Sequence, residues 1–288
     1  MDSLPTSLPV ADSINVDPKT VRSFGEEWSR FKQNDLTKNE HARLFSEYFN
    51  IFPWEKLPSD GGEGIDVGCG SGRWASLVAP QVKKLHVLDA SPDALSVAKK
   101  NLSSLSNVLF HQESVGEMSL KDRSLDFAYS LGVLHHVPDT QEAIRSIATK
   151  LRKGAPFLIY LYYAFDNRPF WFVGLWKTTD FLRFLISRSP SRLRYLMADT
   201  LAALVYYPLA KIARFLEKIG CLSEFFPLNA YRNRSFYTMR TDALDRFGTR
   251  LEKRFTRKEI TAMLEAAGFE QIHFSTQAPY WVACAIKK

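Results

Sequence analysis

The sequence predicts an α/β fold, a mostly parallel seven-stranded sheet with helices on both faces and a helical insertion after the fifth strand. Three observations predict it. Short apolar runs alternate with stretches long enough for a helical crossover from Gly64 to Tyr162, and the alternation resumes at Phe255. A glycine-rich turn joins the first of those runs to a helix. Between Tyr163 and Arg254 the alternation gives way to helical spacing alone.

Taken in order, residues 1–18 carry Pro, Ser and Asp without apolar periodicity and read as a mobile tail. Val21, Phe24, Trp28 and Phe31, then Ala42, Phe45 and Phe49, recur at helical spacing, so two helices precede the sheet. After the break Leu57–Gly62, strands are expected at Gly64–Val67, Lys84–Leu88, Val108–His111, Leu125–Ser130 and Phe157–Tyr162. Ser91-Pro92, Thr140 and the capping box Thr256–Glu259 mark helix starts, and Gly154 and Gly268 mark stops. Two more strands, Gln271–Ser275 and Trp281–Ile286, close the chain. The core is therefore assigned to 19–162 and 255–288, with 163–254 as a cap whose apolar stripe from Leu193 to Ile219 is bent or broken at Pro208 and stopped by Gly220.

Composition narrows the function classes. With 45% hydrophobic and 24% charged residues, the 288-residue chain is not collagenous, coiled-coil or wholly disordered. Three scattered cysteines form neither a disulfide framework nor a close metal-binding pair, and His41, His86, His111 and His273 lack ligand spacing, so no metal is expected. The first residues lack the basic and apolar regions of a secretion signal, which points to a reducing, cytoplasmic setting. Thr200–Ala210 is a charge-free stretch of 11 residues, short of the ~20 that a membrane-spanning helix needs, so no crossing is expected. The net charge of +7 is unevenly placed: residues 163–254 hold 16 Lys and Arg against 8 Asp and Glu, together with 18 of the 38 aromatics.

The most informative segment is Ile65-Asp66-Val67-Gly68-Cys69-Gly70-Ser71-Gly72-Arg73, a strand ending in an acid and a glycine turn that opens a helix. Glycines let a ligand approach the backbone, and Asp89 at the end of the next strand can accept both hydroxyls of a ribose. A nicotinamide-type G-x-G-x-x-G would need glycine where Arg73 stands, and Asp66 suits a cationic amine better than a pyrophosphate. These residues, with Ser124–Ser130, Leu134-His135-His136-Val137-Pro138-Asp139 and Leu151–Ala155, resemble successive motifs of the class I S-adenosylmethionine-dependent methyltransferases, of the type 11 kind, with a Rossmann-like sheet. The resemblance runs from about Gly64 to Tyr162 and resumes at Phe255.

It implies S-adenosylmethionine as cofactor and S-adenosylhomocysteine as product. Gly68, Gly70 and Gly72 would cradle the methionine part, Asp66 would orient its amine, and Asp89 would hold the ribose. Backbone at Ser130, Leu131 and Gly132 would pass beside the reacting methyl. Where the family has an acid and a small apolar residue facing adenine, this chain reads Glu113-Ser114-Val115, so either the Ser114 hydroxyl or Glu113 would take the adenine amine. Ser23–Phe31, with Phe24 and Trp28, resembles the N-terminal helix that closes over the cofactor in a bacterial subset of the family, and the same side chains also suit plain helix packing.

Methyl transfer asks mostly for alignment and a dry pocket. A hydroxyl acceptor adds a need for a base, and His135 and His136 follow the fourth strand at the ligand-binding edge; they either act as that base, His136 first, or shape the substrate pocket. Tyr162, Tyr163 and Asp166 are further substrate-contact candidates. The acceptor is read as a small molecule, a sugar or a lipid-linked precursor. The basic, aromatic insertion suits peripheral contact with an anionic membrane at the inner face, or a solvated cap; nucleic acid fits less well, because no separate RNA-binding module is recognisable. The alternative from a different class is a non-catalytic protein of the same fold acting as a membrane-surface or assembly partner. Oligomeric state is not encoded in any motif.

Overall fold

The computed structural model describes residues 14–31, 37–223 and 225–288. Contacts divide the chain into two units, residues 1–32, 42–164 and 251–288 forming one and residues 33–41 and 165–250 the other.

The first unit is built on a seven-stranded sheet ordered β3-β2-β1-β4-β5-β7-β6. Its strands are β1 (Glu63–Val67), β2 (Lys84–Leu88), β3 (Val108–His111), β4 (Phe127–Leu131), β5 (Pro156–Tyr160), β6 (Phe269–Phe274) and β7 (Val282–Lys287). The first five pair in parallel, and β7 joins β5 and β6 in antiparallel fashion. The helices are α1 (Pro18–Arg30), α2 (Lys38–Phe49), of which residues 38–41 belong to the second unit, the single turn α3 (Ala75–Val78), α4 (Pro92–Asn101), α5 (Thr140–Lys150) and, after the helices of the second unit, α10 (Arg257–Ala266). Strands covered on both faces must be apolar along their whole length, which is why Phe127–Leu131 and Pro156–Ile159 are buried without alternation.

The close approach of β1 and β4 depends on Gly64, because a Cβ there would lie 2.2 Å from the Phe127 ring, itself 1% exposed. Gly64→Val is accordingly expected to destabilise the protein by about 3 kcal/mol or more, read as a lowered denaturant midpoint, whereas Gly154→Ala, with no neighbour within 4 Å but a φ of +85°, should cost only the backbone strain of about 1–2 kcal/mol.

Local signals place most boundaries. Ser91 caps α4 through the Ala94 N–H with Pro92 in the first turn, and the Thr256–Glu259 capping box is complete. At α5 the cap is Asp139, which accepts the Glu142 N–H at 2.9 Å. Thr140, expected as the cap, is instead the first helical residue and donates its hydroxyl to the Leu134 carbonyl at 2.8 Å. The tail expected over 1–18 lies outside the described residues as far as 13, but from Ile14 the chain is tied down. Asn15 exchanges two hydrogen bonds with the Asp139 backbone, both 2.7 Å, and Asp17 caps α1.

The second unit contains α6 (Phe170–Ser187), α7 (Ser191–Leu201), α8 (Tyr207–Lys218) and α9 (Phe236–Gly248) around a core of Ile186, Ala202, Tyr206, Ala210, Met239, Ala243 and Phe247. Glu40 accepts from the Ser235 N–H and the Thr238 hydroxyl within this unit, both at 2.9 Å. The break expected at Pro208 is absent. A π turn at Ala202–Tyr206 links α7 to α8 just before Pro208, so the residue without an N–H lies where the helical hydrogen-bond register changes and the helix continues through it. Ser191–Lys218 is thus one 28-residue helix, long and apolar enough to cross a membrane by length and composition, against the sequence reading that stopped at 11 residues between Asp199 and Lys211. Its most apolar window is only 28% buried.

Candidate cofactor and active site

The site is built at the carboxyl ends of β1, β2 and β4, where a doubly wound sheet opens a crevice. Beyond β1 the chain turns through Gly68, Gly70 and Gly72, all with positive φ. The Gly68 and Cys69 N–H groups donate to the Leu88 carbonyl at 2.7 and 3.0 Å, which ties the turn to the end of β2. A Cβ on Gly68 would meet Val133 at 2.4 Å, and one on Gly70 would meet the Trp28 indole at 2.8 Å. The glycines therefore serve contact with neighbouring chain as much as room for a ligand.

Asp89 fastens two turns at once. Its carboxylate accepts the Gly70 N–H at 2.9 Å and the Ser91 N–H at 2.8 Å, one on each oxygen. Each oxygen keeps a second lone pair, so the group can still accept a diol. Burial holds its pKa above the ordinary carboxylate value, opposed by those two N–H donors. Asp66 is deeper, 1% exposed, and its Oδ2 has no hydrogen-bond partner among the described residues. Burial pushes its pKa up to about 8, the neighbouring Tyr129 hydroxyl pulls the other way, and the charge of Asp89 adds to the rise. A buried carboxyl of this kind waits for a cation. The Ser71 hydroxyl is also buried without a partner among the described residues.

One cleft gathers most of the predicted site. Phe24, Trp28, Gly68, Asp89, Glu113, Ser114, Val115, Leu131, Gly132 and His136 line it. Asp66, Gly70, Gly72 and Ser130 are not among the lining residues; Asp66 is buried, and Ser130 is fully buried with its hydroxyl donated to the Val67 carbonyl at 2.9 Å. The cleft encloses about 140 Å³, less than the ~300 Å³ at which ligand pockets usually begin.

The two histidines divide. His135 is fully buried, stacked on Tyr162 with ring centroids 3.8 Å apart, and its Nδ1 accepts the Tyr162 N–H at 3.4 Å. Burial, then the nearby His136 and Arg254, hold its pKa well below the usual histidine value, so it stays neutral and does not line the cleft. His136 does line it. Its Nδ1 stands 2.6 Å from the Leu251 carbonyl, which can only accept, so Nδ1 carries the proton and Nε2 carries the basic lone pair. Phe24 packs on the same ring at 4.9 Å between centroids.

Other candidates lie elsewhere. Tyr162 sits under the Arg254 guanidinium, 5.1 Å from its ring centroid; Tyr162 and Tyr163 are not in the cleft wall, and Asp166 belongs to the other unit. Glu113 accepts the Ser119 N–H at 2.8 Å, and the Ser114 hydroxyl donates to the Ile14 carbonyl at 2.9 Å. Sequence reasoning missed Asn15, Val16, Asp17, Thr20, Val21, Arg73 and Val133, which also line the cleft. Asn15 is the partner of Asp139, a pairing 124 residues apart that no local pattern encodes. Arg73 was within reach, since it occupies the position that argued against a nicotinamide motif. Among the described residues no cluster of three potential metal ligands occurs.

Comparison with known proteins agrees with this geometry. The model of a methyltransferase domain family matches residues 65–159, from β1 to the end of β5. Residues 65–159 thus carry a methyltransferase domain of the S-adenosylmethionine-dependent class I kind. The matched stretch holds the Gly68–Gly72 turn, Asp89 and both histidines, whereas α1 and the second unit fall outside it. The ubiquinone biosynthesis O-methyltransferase of Aliivibrio fischeri is 25% identical over 147 residues, 50% of this chain and 63% of that protein. The uncharacterized methyltransferase YcgJ of Bacillus subtilis is 28% identical over 102 residues, 35% of this chain and 40% of that protein. The methyltransferase thus aligns with less than two thirds of the length of these curated relatives. Human N-acetylserotonin methyltransferase, solved with S-adenosylmethionine, superposes with a TM-score of 0.54 at 16% identity, covering 97% of this chain and 60% of that one, and so shares the fold. The family's cofactor is S-adenosylmethionine, and the residues present fit it: a buried carboxyl without a partner for an ammonium, and an acid at the end of β2 for a diol.

Proposed function

We propose that the methyltransferase transfers a methyl group to a hydroxyl of a small-molecule, sugar or lipid-linked acceptor, in the cytoplasm or at the inner face of an anionic membrane. The observation that carries the hydroxyl reading is the tautomer of His136, whose Nδ1 is protonated toward the Leu251 carbonyl, which makes Nε2 the acceptor nitrogen of a residue lining the cleft. The Aliivibrio fischeri relative, an O-methyltransferase by name, supports the same target atom.

S-adenosylmethionine, when bound, supplies an activated methyl on a sulfonium. The chain's residues do the rest. Asp66 holds the amine, the Gly68, Gly70 and Gly72 turn offers backbone, Asp89 takes the ribose hydroxyls, and Glu113, Ser114 and Val115 border the base. Leu131 and Gly132 align the acceptor, with Ser130 fixing that strand end, while Phe24 and Trp28 exclude water. His136 Nε2 takes the hydroxyl proton as the new bond forms.

Calorimetric titration with S-adenosylmethionine, S-adenosylhomocysteine and NAD, followed by turnover of a panel of hydroxyl acceptors, tests the reading. Binding of the two sulfur ligands and not of NAD is expected. His136→Ala should lower kcat by about a hundredfold while leaving S-adenosylhomocysteine affinity nearly intact. Unchanged turnover in that variant would remove the base, and binding without turnover of any acceptor would favour the non-catalytic alternative.

A further inference from the structure

The second unit turns its large apolar side chains outward. Along the helix Ser191–Lys218 and its cap, Ala198, Ala202, Tyr206, Ala210 and Ala213 are buried, whereas Leu193, Leu196, Leu204, Ile212, Phe215 and Ile219 are 47–71% exposed. A helix facing water does the reverse, burying its leucines and presenting polar residues. The π turn preserves the arrangement. Residues 198, 202, 206 and 210 recur at strict intervals of four, which drift around an α-helix, and the extra residue in the π turn brings them back to one side. The opposite side is kept continuous by the same correction. In α6, Phe170, Phe181 and Phe184 are likewise 49–89% exposed.

Charge on these helices has one sign. The three acids between residues 170 and 219 are each held by an arginine, Asp180 by Arg183 at 2.7 Å, Asp199 by Arg240 at 2.9 Å and Glu217 by Arg232 at 2.7 Å. Lys177, Arg188, Arg192, Lys211, Arg214 and Lys218 are exposed. Two of these cations rest on aromatic rings, Arg188 on Phe184 at 3.6 Å and Lys211 on Tyr207 at 5.0 Å, so that stem and ring share one apolar patch while the charge stays at its rim.

We infer that the exposed face of Ser191–Lys218 docks on an anionic lipid bilayer, with the helix lying in the plane of the interface. This rests on the membrane setting proposed above and names the surface that makes it, while it does not depend on methyl transfer. Apolar side chains rimmed by Lys and Arg match acyl chains beneath anionic headgroups. A second copy fits worse, because a two-fold contact would bring two copies of the same cationic rim together, while the three acids of these helices are already paired with arginines. Spanning the bilayer fits worse too: Lys211 and Arg214 lie within the helix, and its other face is already covered by α9 in a shared core.

Flotation of the full chain with vesicles of phosphatidylcholine, alone or mixed with phosphatidylglycerol, tests it. Binding at least about tenfold stronger to the anionic vesicles is expected, weakening as salt is raised. Leu204→Glu/Phe215→Glu should reduce it by about tenfold or more with an unchanged melting profile, and Lys211→Glu/Arg214→Glu should remove the preference for phosphatidylglycerol. Absence of flotation at low salt, indifference to both variants, or retention through alkaline carbonate washing would overturn the inference. So would a dimer in sedimentation that Leu204→Glu/Phe215→Glu dissolves in a chain that binds no lipid.

Discussion

Asp89→Ala is expected to weaken binding of S-adenosylmethionine and S-adenosylhomocysteine by about a hundredfold or more, measured by calorimetry at equal pH and salt. Two effects combine. The carboxylate is the acceptor placed for a ribose diol, and each hydrogen bond to a charged acceptor contributes about 1.5–3 kcal/mol. It is also the acceptor for the Gly70 and Ser91 N–H groups, so its removal leaves two backbone donors without their partner and loosens the glycine turn against which the ligand must sit. Asp89→Asn separates the two. An amide oxygen can serve one N–H and accept one hydroxyl, so an intermediate loss is expected, with a melting temperature closer to the parent than that of the alanine variant. Equal affinity in parent and Asp89→Ala would place the ribose elsewhere.

The parts of this molecule that were legible in the sequence are those whose cause is local. The turn after β1 announces itself because Gly68, Gly70 and Gly72 all need positive φ, and Thr256 with Glu259 makes a capping box from four adjacent residues. The acid beside the glycine turn, Asp66, suits a cationic amine by its type and place, and the resemblance to a family implies that the amine is that of the methionine part. What stayed hidden depends on contacts distant in sequence. His135 and His136 are chemically identical neighbours, and only the Tyr162 N–H on one and the Leu251 carbonyl on the other decide which is structural and which faces the cleft. Ser114 looked free to meet a base until Ile14 was found 100 residues away at its hydroxyl. In the second unit, helical periodicity identified the apolar stripe of Ser191–Lys218 but not its orientation. Periodicity assigns residues to faces, and the α9 contacts of the alanines determine which face is covered.

Asp66→Asn should change stability and binding in opposite directions. In the unfolded chain Asp66 ionises near pH 4, and in the folded protein at about 8, chiefly because burial disfavours the charge. Between these values the folded state holds a proton that the unfolded state has released. The contribution of this group to stability is therefore fully present below about pH 4 and falls as pH rises toward 8, by at most about 1.4 kcal/mol per pH unit. Asparagine cannot ionise and lacks that slope, so the melting temperature of the variant relative to the parent should climb from pH 5 to pH 8, by up to about 6–10 °C for the ~3.6 kcal/mol lost over that range. An ammonium seated beside the carboxyl reverses the balance, because it favours the ionised form. Binding of S-adenosylhomocysteine near pH 7 should then release a proton from the parent protein, read as a dependence of the calorimetric heat on the ionisation enthalpy of the buffer. In Asp66→Asn that release should shrink and affinity should fall by about thirtyfold or more, the loss of one charge-assisted contact in a buried site. A variant that binds weakly yet keeps the parent's pH slope would mean that Asp66 is already ionised before the ligand arrives. Its buried Oδ2 would then have a partner other than the amine.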